Sequence, residues 1–187
     1  KSMIRNMKTV EDNDFEIPQN LRPVLREYQK IGFLWLKTLK NNGFGGILAD
    51  DMGLGKTLQV IAFLESEFEE REGNLRCLVV TPASLVYNWK SELERFAPKL
   101  PVQTVTGTAA EREEILKELP KRVILVTSYD LLKRDFEHYR KLSFVCQVID
   151  EAQYIKNHNT QAAQAVRGIR AECKLALTGT PVENRLS

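Results

Sequence analysis

Apolar positions along the chain change rhythm twice. The first seventeen residues are polar and without period, which predicts an arm over 1–19. From Asn20 the pattern is helical: Val24, Leu25, Tyr28, Ile31, Leu34, Trp35 and Leu39 share one broad face, and Pro23 is tolerated in a first turn. After Asn41-Asn42-Gly43, short continuous apolar runs alternate with amphipathic stretches. The runs fall at 45–49, 77–81, 101–105, 122–127, 144–149 and 174–178, and the helical candidates at 56–70, 84–96, 109–118, 129–141 and 160–171. In the first candidate Val60, Ile61, Leu64 and Phe68 line one face. In the last, Ala162, Ala165, Val166 and Ile169 do so, with Asn159 or Thr160 as N-cap. Runs of Val, Ile and Leu without in/out alternation predict strands buried on both sides. The predicted fold is therefore α/β: a mainly parallel sheet with helices on both faces, in three α/β/α layers.

Composition narrows the function classes. The 187 residues carry 27 Lys+Arg against 25 Asp+Glu, a formal net charge of +2. So even a balance excludes a polycation that holds nucleic acid by bulk charge, and any such contact must be local. No apolar stretch approaches the roughly 20 residues that span a bilayer, so no membrane partner is expected. His138 and His158 have no ligand-like spacing to Cys77, Cys146 and Cys173, which stand far apart in the sequence inside apolar runs. The cysteines read as small hydrophobes in a reducing compartment, not as disulfides or zinc ligands. The acidic stretch 65–72 reads as a solvated helix end. NRLS at 184–187 stands where a further helix is expected, which predicts a piece of a longer protein.

Candidate chemistry begins after the first run. Strand 45–49 leads into Asp50-Asp51-Met52-Gly53-Leu54-Gly55-Lys56-Thr57, and a helix follows. Gly53 and Gly55 let successive N–H groups curl toward phosphate oxygens, and the helix start adds its positive dipole end. Lys56 supplies a charge for the β- and γ-phosphates and the Thr57 hydroxyl a ligand for Mg²⁺. The usual G-x-x-x-x-G-K-[ST] spacing departs at its first position, which is Asp50. At the end of the fifth run stand Asp150-Glu151-Ala152-Gln153, where open parallel sheets form ligand sites. There Asp150 suits Mg²⁺, and Glu151 suits orienting or deprotonating water. Alone, Asp-Glu after a strand also reads as a helix cap; with Gly55-Lys56-Thr57 it specifies a nucleoside-triphosphatase.

LREYQ (25–29), DDMGLGKT (50–57), LVVTPASLVYNW (78–89), VTSYD (126–130), DEAQ (150–153) and LTGTPVEN (177–184) occur in the order found in superfamily-two helicase-like ATPases. Over residues 20–187 the set resembles the Swi/Snf-like branch of DNA-dependent ATPases. That resemblance implies a RecA-like first lobe, the helicase ATP-binding domain, over 20–187. It also implies ATP and Mg²⁺ as cofactors, double-stranded DNA as partner in preference to RNA, and a second RecA-like lobe whose arginines complete the site. The lobe alone is expected to be nearly inactive. Gln29 matches the adenine-reading glutamine, although by itself it reads as a polar position on an amphipathic helix. Pro82 and Ser84, Thr127 and Ser128, and Lys156 match the strand-tracking contacts, although each segment also reads as helix capping. Thr178, Gly179 and Thr180 match the motif coupling the γ-phosphate to DNA and the other lobe; a capped turn is the alternative. Trp89 reads as core packing beside Leu85 and Leu93.

Three rivals remain at this point. A DEAD-box RNA helicase lobe is disfavoured by LTGT and DEAQ in place of S-A-T and D-E-A-D. A nucleotide-gated interaction module need not keep Lys56, Asp150 and Glu151. A metabolic P-loop kinase needs a basic lid. VEN after LTGTP resembles bacterial members, which favours the cytoplasm and nucleoid over a nucleus.

Overall fold

A computed structural model of the chain describes residues 18–21, 46–49, 56–155 and 160–178. The expected helix from Asn20 onward, apart from its first two residues, lies outside them, as do Gln29, Asp50 to Gly55, Lys156, Gly179 and Thr180.

Six parallel strands form one sheet: β1 (Gly46–Ala49), β2 (Leu75–Thr81), β3 (Val102–Thr104), β4 (Arg122–Ser128), β5 (Ser143–Ile149) and β6 (Arg170–Thr178), in the order β1-β6-β5-β2-β4-β3. All the pairings are parallel. The connecting helices are α1 (Lys56–Glu70), α2 (Val86–Phe96), α3 (Ala109–Lys117), α4 (Tyr129–Arg134), α5 (Phe136–Tyr139) and α6 (Gln161–Gly168). A 3₁₀ turn, Ala83–Leu85, precedes α2, and another, Ala152–Ile155, follows β5.

Alternate side chains of the continuous apolar strands feed two cores, the outcome expected of a sheet covered on both faces. Leu75, Cys77, Val79, Ile124, Val126, Cys146, Val148, Leu175 and Leu177 pack under Ile61 and Leu64 of α1 and Trp89 and Leu93 of α2. Leu78, Val80, Val123, Leu125, Phe144 and Ile149 pack on the opposite face with Leu116, Leu132, Tyr139 and Val166. Leu21, from a turn closed by Leu21 N–H to Pro18 O, is buried in the first core. The three cysteines form no disulfide, are buried and stand in register across β2, β5 and β6. Burial pushes the Cys77 thiol up to about 12.

Three local expectations need correction. The stretch 129–141 is two short helices meeting at Asp135, whose buried carboxylate accepts from Arg112 Nε at 2.7 Å and Nη2 at 3.0 Å. The last helix ends at Gly168, and β6 begins at Arg170; Ile169 is extended, although still buried. A Cβ at Gly168 would lie 2.5 Å from Phe136 Cζ, so this helix end can approach α5 only without a side chain. The acidic stretch is solvated only from Glu69 onward: Glu65 and Glu67 are buried, and burial raises the Glu65 pKa. Of the two caps expected for α6, Thr160 fills the role, accepting from Ala163 N–H at 3.0 Å.

Candidate functional site

The carboxyl ends of β2, β5 and β6 and the first turn of α1 converge at one rim of the sheet. Lys56, Thr57, Asp150 and Glu151 line a single cleft of about 200 Å³ there, with Trp89 and Glu92 of α2 completing its wall. Residues 94 positions apart in sequence meet because β1 and β5 both flank β6: Ala49 is in register with Thr178, and Ile149 with Ala176. Lys56 is buried, and among the described residues no carboxylate pairs with it. A buried ammonium facing a cleft is costly unless an anion comes to it.

Asp150 is held from three sides. Its backbone N–H continues the ladder to Val80 O at 2.8 Å. Oδ2 accepts from Thr81 Oγ1 and from Trp89 Nε1, each at 2.8 Å, and Oδ1 accepts from Glu151 N–H at 2.9 Å. The Tyr129 hydroxyl donates to the Asp150 carbonyl; burial, reinforced by the Asp150 and Glu151 charges, raises its pKa well above the usual phenol value. The Tyr129 ring stacks on exposed Tyr154 at 5.8 Å and 5°.

Glu151 has φ of 50°, left-handed backbone that a non-glycine residue rarely adopts. Strain of this kind persists where surrounding bonds over-determine it. Here the Glu151 N–H is tied to Asp150 Oδ1, and its carbonyl accepts from Tyr154 N–H at 3.0 Å. Gln153 Nε2 donates to Glu151 Oε1, and Thr178 Oγ1 donates to Gln153 Oε1 at 3.2 Å. A chain of side-chain bonds thus joins the end of β6 to Glu151.

The nucleic-acid candidates divide. Ser84 is exposed in the 3₁₀ turn, and neither Pro82 nor Leu85 makes a side-chain cap bond, so capping does not account for this segment. Thr127 and Ser128 differ. The fully buried Thr127 hydroxyl donates to Val105 O at 3.0 Å, and Ser128 caps α4 by accepting from Leu131 N–H at 3.2 Å. Both hydroxyls are thus engaged within the fold at the carboxyl end of β4.

Sequence reasoning missed Thr81, Trp89, Gln153 and Tyr129. Trp89 is core, as expected, but its indole N–H is also spent on Asp150. The strand-end position of Thr81 was the available signal; nothing local marks the indole bond, which spans 61 residues.

Comparison with known proteins gives the same picture. The model of the SNF2-related domain matches residues 28–187. A Mycoplasma genitalium protein named as an ATP-dependent helicase is 42% identical over 182 residues, covering 96% of this chain and 18% of its own. Helicase SWR1 of Kluyveromyces lactis is 40% identical, over 94% of this chain and 11% of its own. The chain thus spans under a fifth of the length of these relatives. Among solved structures, the SWI2/SNF2 ATPase core of Sulfolobus solfataricus, determined in complex with double-stranded DNA, matches at a TM-score of 0.77 and 40% identity. That match covers 87% of this chain and 33% of that one. With a match over most of its length and the same α/β fold, the chain belongs to the SNF2-related family.

Proposed function

We propose that residues 20–187 form the ATP-binding lobe of a DNA-dependent ATPase that couples hydrolysis to movement on double-stranded DNA, with residues 1–19 as an arm. The observation that carries this reading is the convergence of Lys56, Thr57, Asp150 and Glu151 on one cleft. Buried Lys56 suits the β- and γ-phosphates. A hydroxyl and a carboxylate oxygen, from Thr57 and Asp150, are the hard donors Mg²⁺ prefers, so the residues present fit the ion. Bound there, Mg²⁺ would neutralise charge on the phosphates. Glu151, braced by Gln153, orients or deprotonates the attacking water.

The other assignments follow the resemblance. Gln29 and the loop from Asp50 to Gly55 hold the nucleotide, and Lys156 with the segments of Pro82 and Ser84 and of Thr127 and Ser128 contacts the DNA backbone, exposed Ser84 through its side chain and buried Pro82 by shaping the turn. Thr178, Gly179 and Thr180 couple the γ-phosphate site to DNA, and the arginines of a second lobe complete catalysis. Among the described residues no helix is long and apolar enough to cross a membrane. The bacterial relative supports a cytoplasmic, nucleoid-associated setting; a nuclear one would follow for a eukaryotic source.

In the full-length protein, Lys56→Ala is expected to abolish nucleotide binding, measured with a fluorescent ATP analogue. Glu151→Gln is expected to retain binding but lose duplex-stimulated turnover. Normal hydrolysis by Glu151→Gln, or stronger stimulation by single-stranded RNA than by duplex DNA, would overturn this reading.

A further inference from the structure

Asp150 is a ligand whose orientation is set by others. A carboxylate offers about four acceptor positions, two on each oxygen. Thr81 and Trp89 occupy both positions on Oδ2, and Glu151 N–H occupies one on Oδ1. One acceptor position on Oδ1 is left by these three bonds. The two donors to Oδ2 lie on either side of the same turn: Thr81 ends β2, Ala83–Leu85 is the 3₁₀ turn, and Trp89 sits one turn into α2. Thr81 is fully buried and Trp89 is 2% exposed, so water does not compete for either bond. Core packing alone asks only for an apolar ring at position 89 and does not ask the indole N–H to point at a carboxylate.

We propose that Trp89 and Thr81 are positioning residues that lock the Asp150 carboxylate so that it takes its metal ion through Oδ1 alone. The proposal rests on the reading of Asp150 as a Mg²⁺ ligand. Partners that orient a ligating carboxylate typically matter by about 10- to 100-fold in metal affinity. Trp89→Phe keeps an aromatic ring, smaller than the indole, and deletes the donor; Thr81→Val keeps the shape and deletes the other.

The test uses the full-length protein with ADP and Mn²⁺ as probe, with free Mn²⁺ read by electron paramagnetic resonance. Both variants are expected to weaken Mn²⁺ binding by about 10-fold or more. The ADP affinity of Thr81→Val in EDTA should stay within about twofold of the parent's, since Thr81 does not line the cleft and its bond touches only the carboxylate. Raising Mg²⁺ should restore turnover in the variants, a rescue that a defect of packing would not show. Parental Mn²⁺ affinity in both variants, with binding abolished by Asp150→Asn, would overturn the positioning role and leave Asp150 as ligand. Retained Mn²⁺ binding in Asp150→Asn would instead overturn the site reading on which the proposal stands.

Discussion

Asp135→Asn removes one charge from a pair that is almost sealed from water. Arg112 and Asp135 are each 6% exposed, and the guanidinium makes two bonds to the carboxylate and a third, through Nη1, to Gly107 O at 2.7 Å. The amide oxygen of an asparagine could accept one of the two N–H groups, but its NH₂ would face the other, donor against donor. The guanidinium would keep its charge with one good acceptor lost. Breaking a buried pair from one side costs about 3–5 kcal/mol, a large share of the roughly 5–15 kcal/mol that holds a domain together. With a urea m-value of about 2 kcal/mol/M, the unfolding midpoint should fall by about 1.5–2.5 M. Arg112→Met with Asp135→Leu removes both charges and should recover most of the loss, because well-packed apolar replacements of buried pairs are often neutral. Salt should change the parent's midpoint little through this pair, since buried charges are poorly screened. A loss under about 1 kcal/mol in Asp135→Asn, the range of an exposed pair, would refute the reasoning.

Two further outcomes are expected. Burial raises the Glu65 pKa above its ordinary value of 4.5, so the native state holds that proton more tightly than the unfolded chain and stability falls as pH rises from 4.5 through the raised value. Glu65→Gln should therefore stabilise the fold at neutral pH, with the gain vanishing below about pH 4 in urea titrations run at several pH values; a gain that persists in acid would count against it. Gly168→Ala should destabilise by about 1–2 kcal/mol despite its better helix propensity, because the added methyl meets Phe136 at 2.5 Å, and adding Phe136→Leu should relieve the loss in thermal melts.

What could be read in the sequence was local. Strands β2, β4 and β5 are continuous apolar runs because both faces are covered, and that pattern survives without knowledge of their neighbours. Helix α1 falls at 56–70 as its periodicity predicts. Lys56, Thr57, Asp150 and Glu151 each declared themselves by a strand ending in a motif. What was not legible depends on partners distant in the chain. The helix break at Asp135 follows from a bond to Arg112, 23 residues away, and the indole bond of Trp89 reaches Asp150 across 61. Glu65 and Glu67 read as solvent-facing because charge is normally exposed, and only the packing around α1 shows that it is covered on more than its apolar side.

On the proposed reading, the charges around the cleft account for a lobe that would be nearly inactive by itself. Among its described lining residues, Lys56 is the one cation, while Asp150, Glu151 and Glu92 are three carboxylates. By formal charge this wall is net negative, yet its proposed ligand is a polyanion. On the proposed reading the start of α1 would offset part of that repulsion, and a divalent ion on Asp150 more of it. Neither meets the charge that builds up on the far side of the γ-phosphate during transfer. That charge needs cations arriving from outside the wall, and arginines of this kind supply about 10³–10⁵ in rate. The carboxylates proposed to hold a metal ion and orient water would therefore also disfavour a polyanion in the cleft until further cations reach it. On the proposed reading hydrolysis would wait on a second cationic surface over the cleft, and the bonds from Thr178 through Gln153 to Glu151 would give DNA-dependent closure a path to the water-orienting carboxylate.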